Sequence, residues 1–157
     1  MVIVIGSNFG YAVLAAVGIT LQCFATAVSI TGARKKYNVN YPDNGGGRYS
    51  DKLSDEDWVA FNNIKRTSDN YLEQVGMVLV ALVLAGLYQP KLAASFGAVY
   101  IVGRFAYTRG YVAGGADRGV SMALRSWASA SLPWLSLLAT TLLPPLFLLD
   151  RFFGMFS

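Results

Sequence analysis

The sequence predicts an all-α integral membrane protein, a single domain over residues 1–157 built as a four-helix bundle. Hydrophobic residues make up 54% of its positions and charged residues only 14%, which is too apolar for an ordinary soluble domain. The charges are also confined to a few segments, so four long stretches carry none. These uncharged stretches are 1–33, 74–90, 92–103 and 126–149.

The first and last stretches are long enough to cross a bilayer by themselves, since a crossing takes about 20 mostly apolar helical residues. We expect the first helix at about residues 9–31. No basic segment precedes it, and the apolar run exceeds that of a signal peptide, so we expect this helix to be retained. The fourth helix is expected at about 123–149, beyond a glycine-rich break at Gly114-Gly115.

The two middle helices reach crossing length only by including charged residues. The second is predicted at 55–88 and contains Glu73, and the third is predicted at 92–114 and contains Arg104. A charge at a helix centre costs roughly 2.5–3.5 kcal/mol on insertion scales, so such residues normally face protein or water and often serve function. The sequence Ser54 to Asp57 resembles a capping box that starts the second helix.

A polar loop is predicted at 34–54, between the first two helices. With four crossings, this loop and the loop after the third helix lie on the same side of the membrane. That side collects Arg34, Lys35, Lys36, Arg48, Lys52, Lys65, Arg66, Arg118 and Arg125. The opposite side has only Lys91 and Arg151, so positive-inside sorting places both loops in the cytosol or its equivalent. The net charge of +4 thus has a topological explanation, and no nucleic-acid partner is expected.

The residue inventory limits the chemistry available. Histidine is absent and the one cysteine is Cys23, which excludes Ser-His-Asp and Cys-His catalysis, zinc sites and an intrachain disulfide. No metal site is expected. The chemistry therefore has to use arginine, lysine, tyrosine, asparagine or carboxylates.

Polar residues form one stripe on each of the two middle helices, because their spacings of three, four and seven residues return to the same helix face. The stripes consist of Arg66, Asn70 and Glu73 on the second helix and Tyr100, Arg104, Tyr107, Tyr111 and Arg118 on the third. Two such stripes on neighbouring helices would form a charged pocket for a small zwitterionic ligand.

A purely structural interpretation of the stripes also exists. Glu73 could neutralise Arg66 or Arg104 in a buried pair, and the tyrosines could belong to the interfacial aromatic belt. One carboxylate leaves the other arginines without an intramembrane partner, and this surplus of positive charge favours an anionic guest.

An ordered set of short motifs resembles the MAPEG superfamily, the membrane-associated proteins in eicosanoid and glutathione metabolism, and especially its microsomal glutathione transferases. The resemblance covers about residues 10–145. Its motifs are Ala33-Arg34-Lys35-Lys36-Tyr37, Val39, Tyr41-Pro42, Phe61-Asn62, Arg66, Asn70, Leu72-Glu73, Tyr88-Gln89-Pro90, Gly103-Arg104, Tyr107 and Gly110-Tyr111.

The resemblance implies a MAPEG fold, a homotrimer, and glutathione bound as co-substrate between neighbouring subunits on the cytosolic side. The positions that match the family's glutathione ligands are Arg34, Arg66, Asn70, Glu73, Arg104, Tyr107 and Tyr111. By similarity to leukotriene C synthase, Arg118 would lie beside the thiol and Lys35 near the lipid electrophile. These two residues would be the catalytic ones.

The implied activity is that of a glutathione transferase or peroxidase acting on a lipophilic electrophile or lipid hydroperoxide drawn from the membrane lipid, in the endoplasmic reticulum. Three residues depart from the pattern expected of relatives, namely Lys65, Ser68 and Gln74. Since all three adjoin the stripe, a non-catalytic MAPEG-fold subunit of a larger membrane complex stays an open alternative. A channel or transporter is disfavoured, because broken-helix pairs and inverted repeats are missing.

Overall fold

The protein is described by a computed structural model, which covers residues 6–115, 117 and 118. Helix α1 spans Phe9–Tyr37, helix α2 spans Asp55–Tyr88, and helix α3 runs over residues 90–115, with 117 and 118 also helical. A short 3-10 helix, Ser50–Lys52, precedes α2. The fourth helix expected at 123–149 lies outside the described residues.

Helices α1 and α2 pack in antiparallel orientation. The Tyr71 hydroxyl of α2 lies 3.1 Å from the Ile19 carbonyl oxygen of α1. Near the other end of α2, a Cβ added at Gly86 would lie only 2.7 Å from the Cβ of Ala12. Glycine is needed there because the two backbones approach too closely for a side chain, as is common where helices meet in membranes.

Helix α3 lies parallel to α1 and antiparallel to α2. A Cβ at Gly97 would come within 2.6 Å of the Ala15 Cβ, so these helices also meet through small residues. Further along both helices, the Gln22 amide donates a hydrogen bond of 2.8 Å to the Ile101 carbonyl. The described helices thus form an up-down-up arrangement.

The outer surface of this arrangement is apolar. Leu14 and Phe24 of α1, for example, are 68% and 67% exposed. Both α1 and α2 are long and apolar enough to cross a membrane. Apolar side chains on the outside of long helices are what a lipid solvent favours, whereas a soluble protein of this size would bury them.

The predicted boundary of the 34–54 loop is wrong by one helical turn, because α1 continues to Tyr37. Arg34, Lys35 and Lys36 therefore form the last turn of α1. Their charges interact favourably with the partial negative charge at the carboxyl end of a helix. Asn38 then ends the helix in the left-handed conformation, with φ of 54°, and its N–H donates to the Arg34 carbonyl.

The start of α2 is built as the capping residues predict. The Ser54 side chain accepts a 3.2 Å hydrogen bond from the Asp57 backbone N–H, and acidic residues occupy the first turn. From there α2 continues without interruption through Arg66 and Glu73 to Tyr88. The polar stripe of α2 therefore lies within its membrane-crossing segment, because the uncharged stretch 74–90 alone is too short to cross a bilayer.

The loop between α1 and α2 is organised around the buried carboxylate of Asp43. It accepts hydrogen bonds from the backbone N–H groups of Gly45, Tyr49 and Ser50 at 2.7–2.8 Å, and from the Ser50 hydroxyl. Burial alone would raise the pKa of the Asp43 carboxyl, but these donors outweigh it and hold the pKa far below its usual range. The stabilisation is therefore fully present well above the ordinary carboxyl pKa and is lost progressively as the pH falls from about 4 toward the lowered pKa.

Asp43→Ala should open this loop, because three backbone donors lose their acceptor at once. We expect trypsin to cut after Arg48 at least tenfold faster, which corresponds to about 1.4 kcal/mol of lost local stability. The matched control is Asp51→Ala, since Asp51 is exposed. Equal cleavage rates for both variants would show that Asp43 does not organise the loop.

Candidate functional site

Arg104 lies in the interior between α2 and α3 and is only 4% exposed. One of its terminal amino groups donates a 3.1 Å hydrogen bond to the Thr67 carbonyl. Its guanidinium carbon lies 4.3 Å from the ring centroid of Tyr71 and 4.8 Å from that of Tyr107. The cation is therefore held against two aromatic rings, each contact being worth about 0.5–2 kcal/mol.

The positive charge of Arg104 has no carboxylate partner among the residues that the structure describes. Its Nε atom is buried and has no hydrogen-bond partner there either. Leaving a charged donor buried and unsatisfied costs free energy, which two aromatic contacts and one carbonyl offset only in part. This is the arrangement expected of a group that receives an anion.

Asn70 connects α2 to the same region of α3. Its side-chain amide donates a 2.8 Å hydrogen bond to the hydroxyl of Tyr107. The rings of Tyr107 and Tyr111 are 5.5 Å apart. Asn70, Arg104, Tyr107 and Tyr111, which we call the arginine-tyrosine cluster, are thus four predicted site residues that the fold brings together.

Arg66 and Glu73 lie elsewhere on α2. Both are exposed, and within the described part of the chain neither forms an ion pair or hydrogen bond. The buried pair of Glu73 with Arg66 or Arg104, which the structural interpretation of the stripes requires, is therefore not formed among the described residues. The two side chains flank Asn70 along the helix and face away from the packing of α1, α2 and α3.

Arg34 is tied to the loop that follows it. Its guanidinium donates to the Val39 carbonyl at 3.3 Å and to the Asn44 side-chain oxygen at 3.0 Å. The neighbouring Lys35 is exposed. The fold thus holds Arg34 at the loop end of the helices and does not bring it into contact with the arginine-tyrosine cluster.

Arg118 follows a change in the backbone at the end of α3. Gly115 has φ of +74°, a left-handed conformation that glycine adopts without strain. Arg118 is exposed and packs back toward Gly114, where an added Cβ would lie 2.6 Å from its side chain. The regular helical spacing that relates Arg118 to Tyr111 in the sequence is therefore interrupted.

The three residues that depart from the family pattern lie in different environments on α2. Lys65 forms an ion pair with Asp69 one turn along α2, so its charge is balanced within its own helix. Ser68 is buried, and Gln74 is exposed.

Sequence reasoning did not identify two residues that contact Arg104, namely Thr67 and Tyr71. Both lie one position away from the polar stripe of α2, on the side that packs inward. Thr67 acts through its backbone carbonyl, which no sequence pattern marks. Tyr71 could have been noticed as a large aromatic residue with a polar end, next to Asn70 in a membrane segment.

Comparisons with known proteins agree with this architecture. The model of the MAPEG family matches residues 11–138. An uncharacterised protein of the cyanobacterium Synechocystis sp. is 33% identical over 111 residues, which are 70% of this chain and 73% of that protein. Together with helices long and apolar enough to cross a membrane, the match indicates a membrane protein. The chain belongs to the MAPEG family.

Proposed function

We propose that this protein is a membrane-bound glutathione transferase or peroxidase, most similar within its family to microsomal glutathione S-transferase 3. It activates the thiol of glutathione and directs it to a lipophilic electrophile or a lipid hydroperoxide. Family membership supports the class, because the family includes glutathione transferases. The specific activity rests on the chemistry of the site.

The observation that carries the proposal is the buried Arg104, whose charge no described carboxylate balances. Glutathione has two carboxylates and a free amino group, so it needs cationic and oxygen or amide partners together. The arginine-tyrosine cluster offers a guanidinium, an amide and two phenols. A guanidinium is well suited to a carboxylate, because its rigid fork presents several donors in one plane.

Activation of the thiol is assigned to Arg118. A thiol with a pKa of about 8.5 is only a few per cent ionised at neutral pH, and the thiolate is the attacking form. A nearby guanidinium favours the anion, and each unit by which the pKa falls corresponds to about 1.4 kcal/mol. Because arginine stays protonated, the thiol proton leaves to water or buffer.

The second substrate reaches the site from the bilayer. With an epoxide, the thiolate sulfur forms a bond to carbon while the carbon–oxygen bond breaks, and the alkoxide takes a proton from water. With a hydroperoxide, two glutathione molecules are oxidised to the disulfide, and the hydroperoxide is reduced to an alcohol and water. Lys35, exposed at the end of α1, is assigned to the electrophile.

The site is completed by a neighbouring subunit in a homotrimer. Support comes from Arg66 and Glu73, which are exposed on α2 beside Asn70 and have no partner among the described residues. Charged groups in a membrane segment normally face protein or water, so a subunit interface suits them. We place the basic loops, and hence glutathione, on the cytosolic side, which in a eukaryotic cell is that of the endoplasmic reticulum.

Tyr107→Phe should weaken glutathione binding about three- to tenfold. The substitution removes the hydroxyl that accepts from Asn70, so the amide of Asn70 loses its orientation within the cluster. Titration calorimetry on the purified protein measures the change. Unaltered affinity would remove the link between Asn70 and Tyr107 from the binding site.

The proposed activity is tested with the purified protein in detergent, titrated with glutathione and assayed with a generic aryl halide and with a lipid hydroperoxide. Binding together with turnover of either substrate supports the enzyme. Absence of both binding and turnover contradicts it and favours the alternative, a non-catalytic MAPEG-fold subunit of a larger membrane complex.

A further inference from the structure

Gln22, which is half-buried, and the buried Tyr71 form a link between all three described helices. Tyr71 has no exposed surface, and its hydroxyl lies 2.8 Å from the side-chain oxygen of Gln22 and 3.1 Å from the Ile19 carbonyl. The amide nitrogen of Gln22 donates in turn to the Ile101 carbonyl at 2.8 Å. One side chain of α1 thus connects to both α2 and α3.

The ring of Tyr71 is the nearer of the two aromatic faces that hold Arg104, at 4.3 Å against 4.8 Å for Tyr107. Apart from these rings, the Arg104 guanidinium has a single hydrogen bond among the described residues, to the Thr67 carbonyl. The orientation of the guanidinium therefore depends on where the Tyr71 ring lies. That position depends on the hydrogen bonds of its hydroxyl to α1.

We propose that Gln22 and Tyr71 are positioning residues that orient the Arg104 guanidinium for a carboxylate of glutathione. The inference rests on the proposed function. Binding groups must be held to within about 0.5 Å of their working geometry, and supporting residues usually supply that precision. Here the support comes from α1, whose middle section carries no predicted ligand residue.

Tyr71→Phe is the informative variant, because it keeps the ring beside Arg104 and removes only the hydroxyl. Tyr100→Phe is its matched control. Tyr100 is also buried, its ring lies 6.1 Å from that of Tyr71, and its hydroxyl has no partner in the described ranges. The two variants lose the same atom, but only one of them loses a link to α1.

The orientation of Arg104 is measured directly by nuclear magnetic resonance of the full-length protein in detergent, labelled with 15N-arginine. The Nε–H signal of Arg104 is identified by its loss in Arg104→Lys. We expect Tyr71→Phe to shift and broaden this signal and Tyr100→Phe to leave it in place. Gln22→Met removes the hydrogen bond between the Tyr71 hydroxyl and Gln22, together with the bond from Gln22 to the Ile101 carbonyl, and leaves the Ile19 carbonyl in place. It should also shift and broaden the signal, and it covers the case in which Tyr71→Phe does not fold. An unchanged signal in the folded variant overturns the proposal.

Glutathione affinity gives a second readout. Tyr71→Phe should weaken binding three- to tenfold in the wild-type background and have no further effect in the Arg104→Lys background. Independent, additive losses would overturn the proposal. If the wild-type protein binds no glutathione, the proposed function fails, while the Arg104 signal still decides whether Gln22 and Tyr71 position the guanidinium.

Discussion

Arg104→Leu should reduce the affinity for glutathione by about 10- to 100-fold, the loss expected when a charged hydrogen-bonding partner of a carboxylate is removed. The same substitution should leave the melting temperature unchanged or raise it. A buried charge without a carboxylate partner is costly, and apolar replacements of buried charges are often neutral or stabilising. A loss of affinity without a loss of thermal stability distinguishes a ligand-binding arginine from a structural one.

Calorimetric titration and thermal denaturation measure these two quantities on the same sample. Arg109→Leu is the matched control, because Arg109 lies on the exposed face of α3 and its guanidinium rests near the ring of Phe105. A fall in melting temperature with undiminished glutathione affinity in Arg104→Leu would mean that Arg104 serves the fold alone.

Arg118→Leu should lower turnover by about 100-fold or more while changing glutathione affinity little. Stabilising a developing or existing anion by a single donor is typically worth factors of 10²–10³ in rate. The carboxylates and backbone of glutathione are assigned to other residues, so its binding should persist. What disappears is the ionised sulfur at neutral pH.

The ultraviolet absorbance of the thiolate shows directly whether Arg118 ionises the sulfur of bound glutathione. The complex of glutathione with Arg118→Leu should show little thiolate absorbance at pH 7 and regain it as the pH rises toward the ordinary thiol pKa of about 8.5. The Arg109→Leu variant again serves as control. Undiminished thiolate absorbance and turnover in Arg118→Leu would remove this residue from the mechanism.

Much of the described fold can be predicted from capping residues and from the distribution of charge along the sequence. The capping residues at Ser54 locate the start of α2, and the distribution of charge indicates helices that include Glu73 and Arg104. The end of α1 is harder to predict from the sequence. Arg34 to Lys36 are polar enough for a loop, but their charges suit the carboxyl end of a helix, and Asn38 terminates it one turn later.

The sequence predicts part of the candidate site through the spacing of residues along a helix. Helical spacing groups Arg104 with Tyr107 and Tyr111, and the fold places Asn70 beside them. Spacing alone cannot say which face of α2 packs against α3. Arg66 and Glu73 share a stripe with Asn70, yet they are exposed, because the inward face of this part of α2 consists of Thr67, Ser68 and Tyr71.

The loop between α1 and α2 shows a feature that local sequence patterns do not predict, namely its organisation around the Asp43 carboxylate. Glycines and an asparagine after Pro42 predict an irregular loop, and the segment indeed has little regular structure. Its order comes from Asp43, whose acceptor oxygens collect donors up to seven residues away. Such a hub depends on the path of the chain in three dimensions, which spacing alone does not encode.

The most direct measurement is the difference in ultraviolet absorbance between the glutathione complex and its separate components, followed as a function of pH. A protein that grips glutathione through the arginine-tyrosine cluster and stabilises its sulfur as an anion should generate saturable thiolate absorbance at pH 7, with an apparent pKa at least one unit below the free value of about 8.5. Saturable binding with a sulfur that ionises like free glutathione, or no binding at all, would contradict the account.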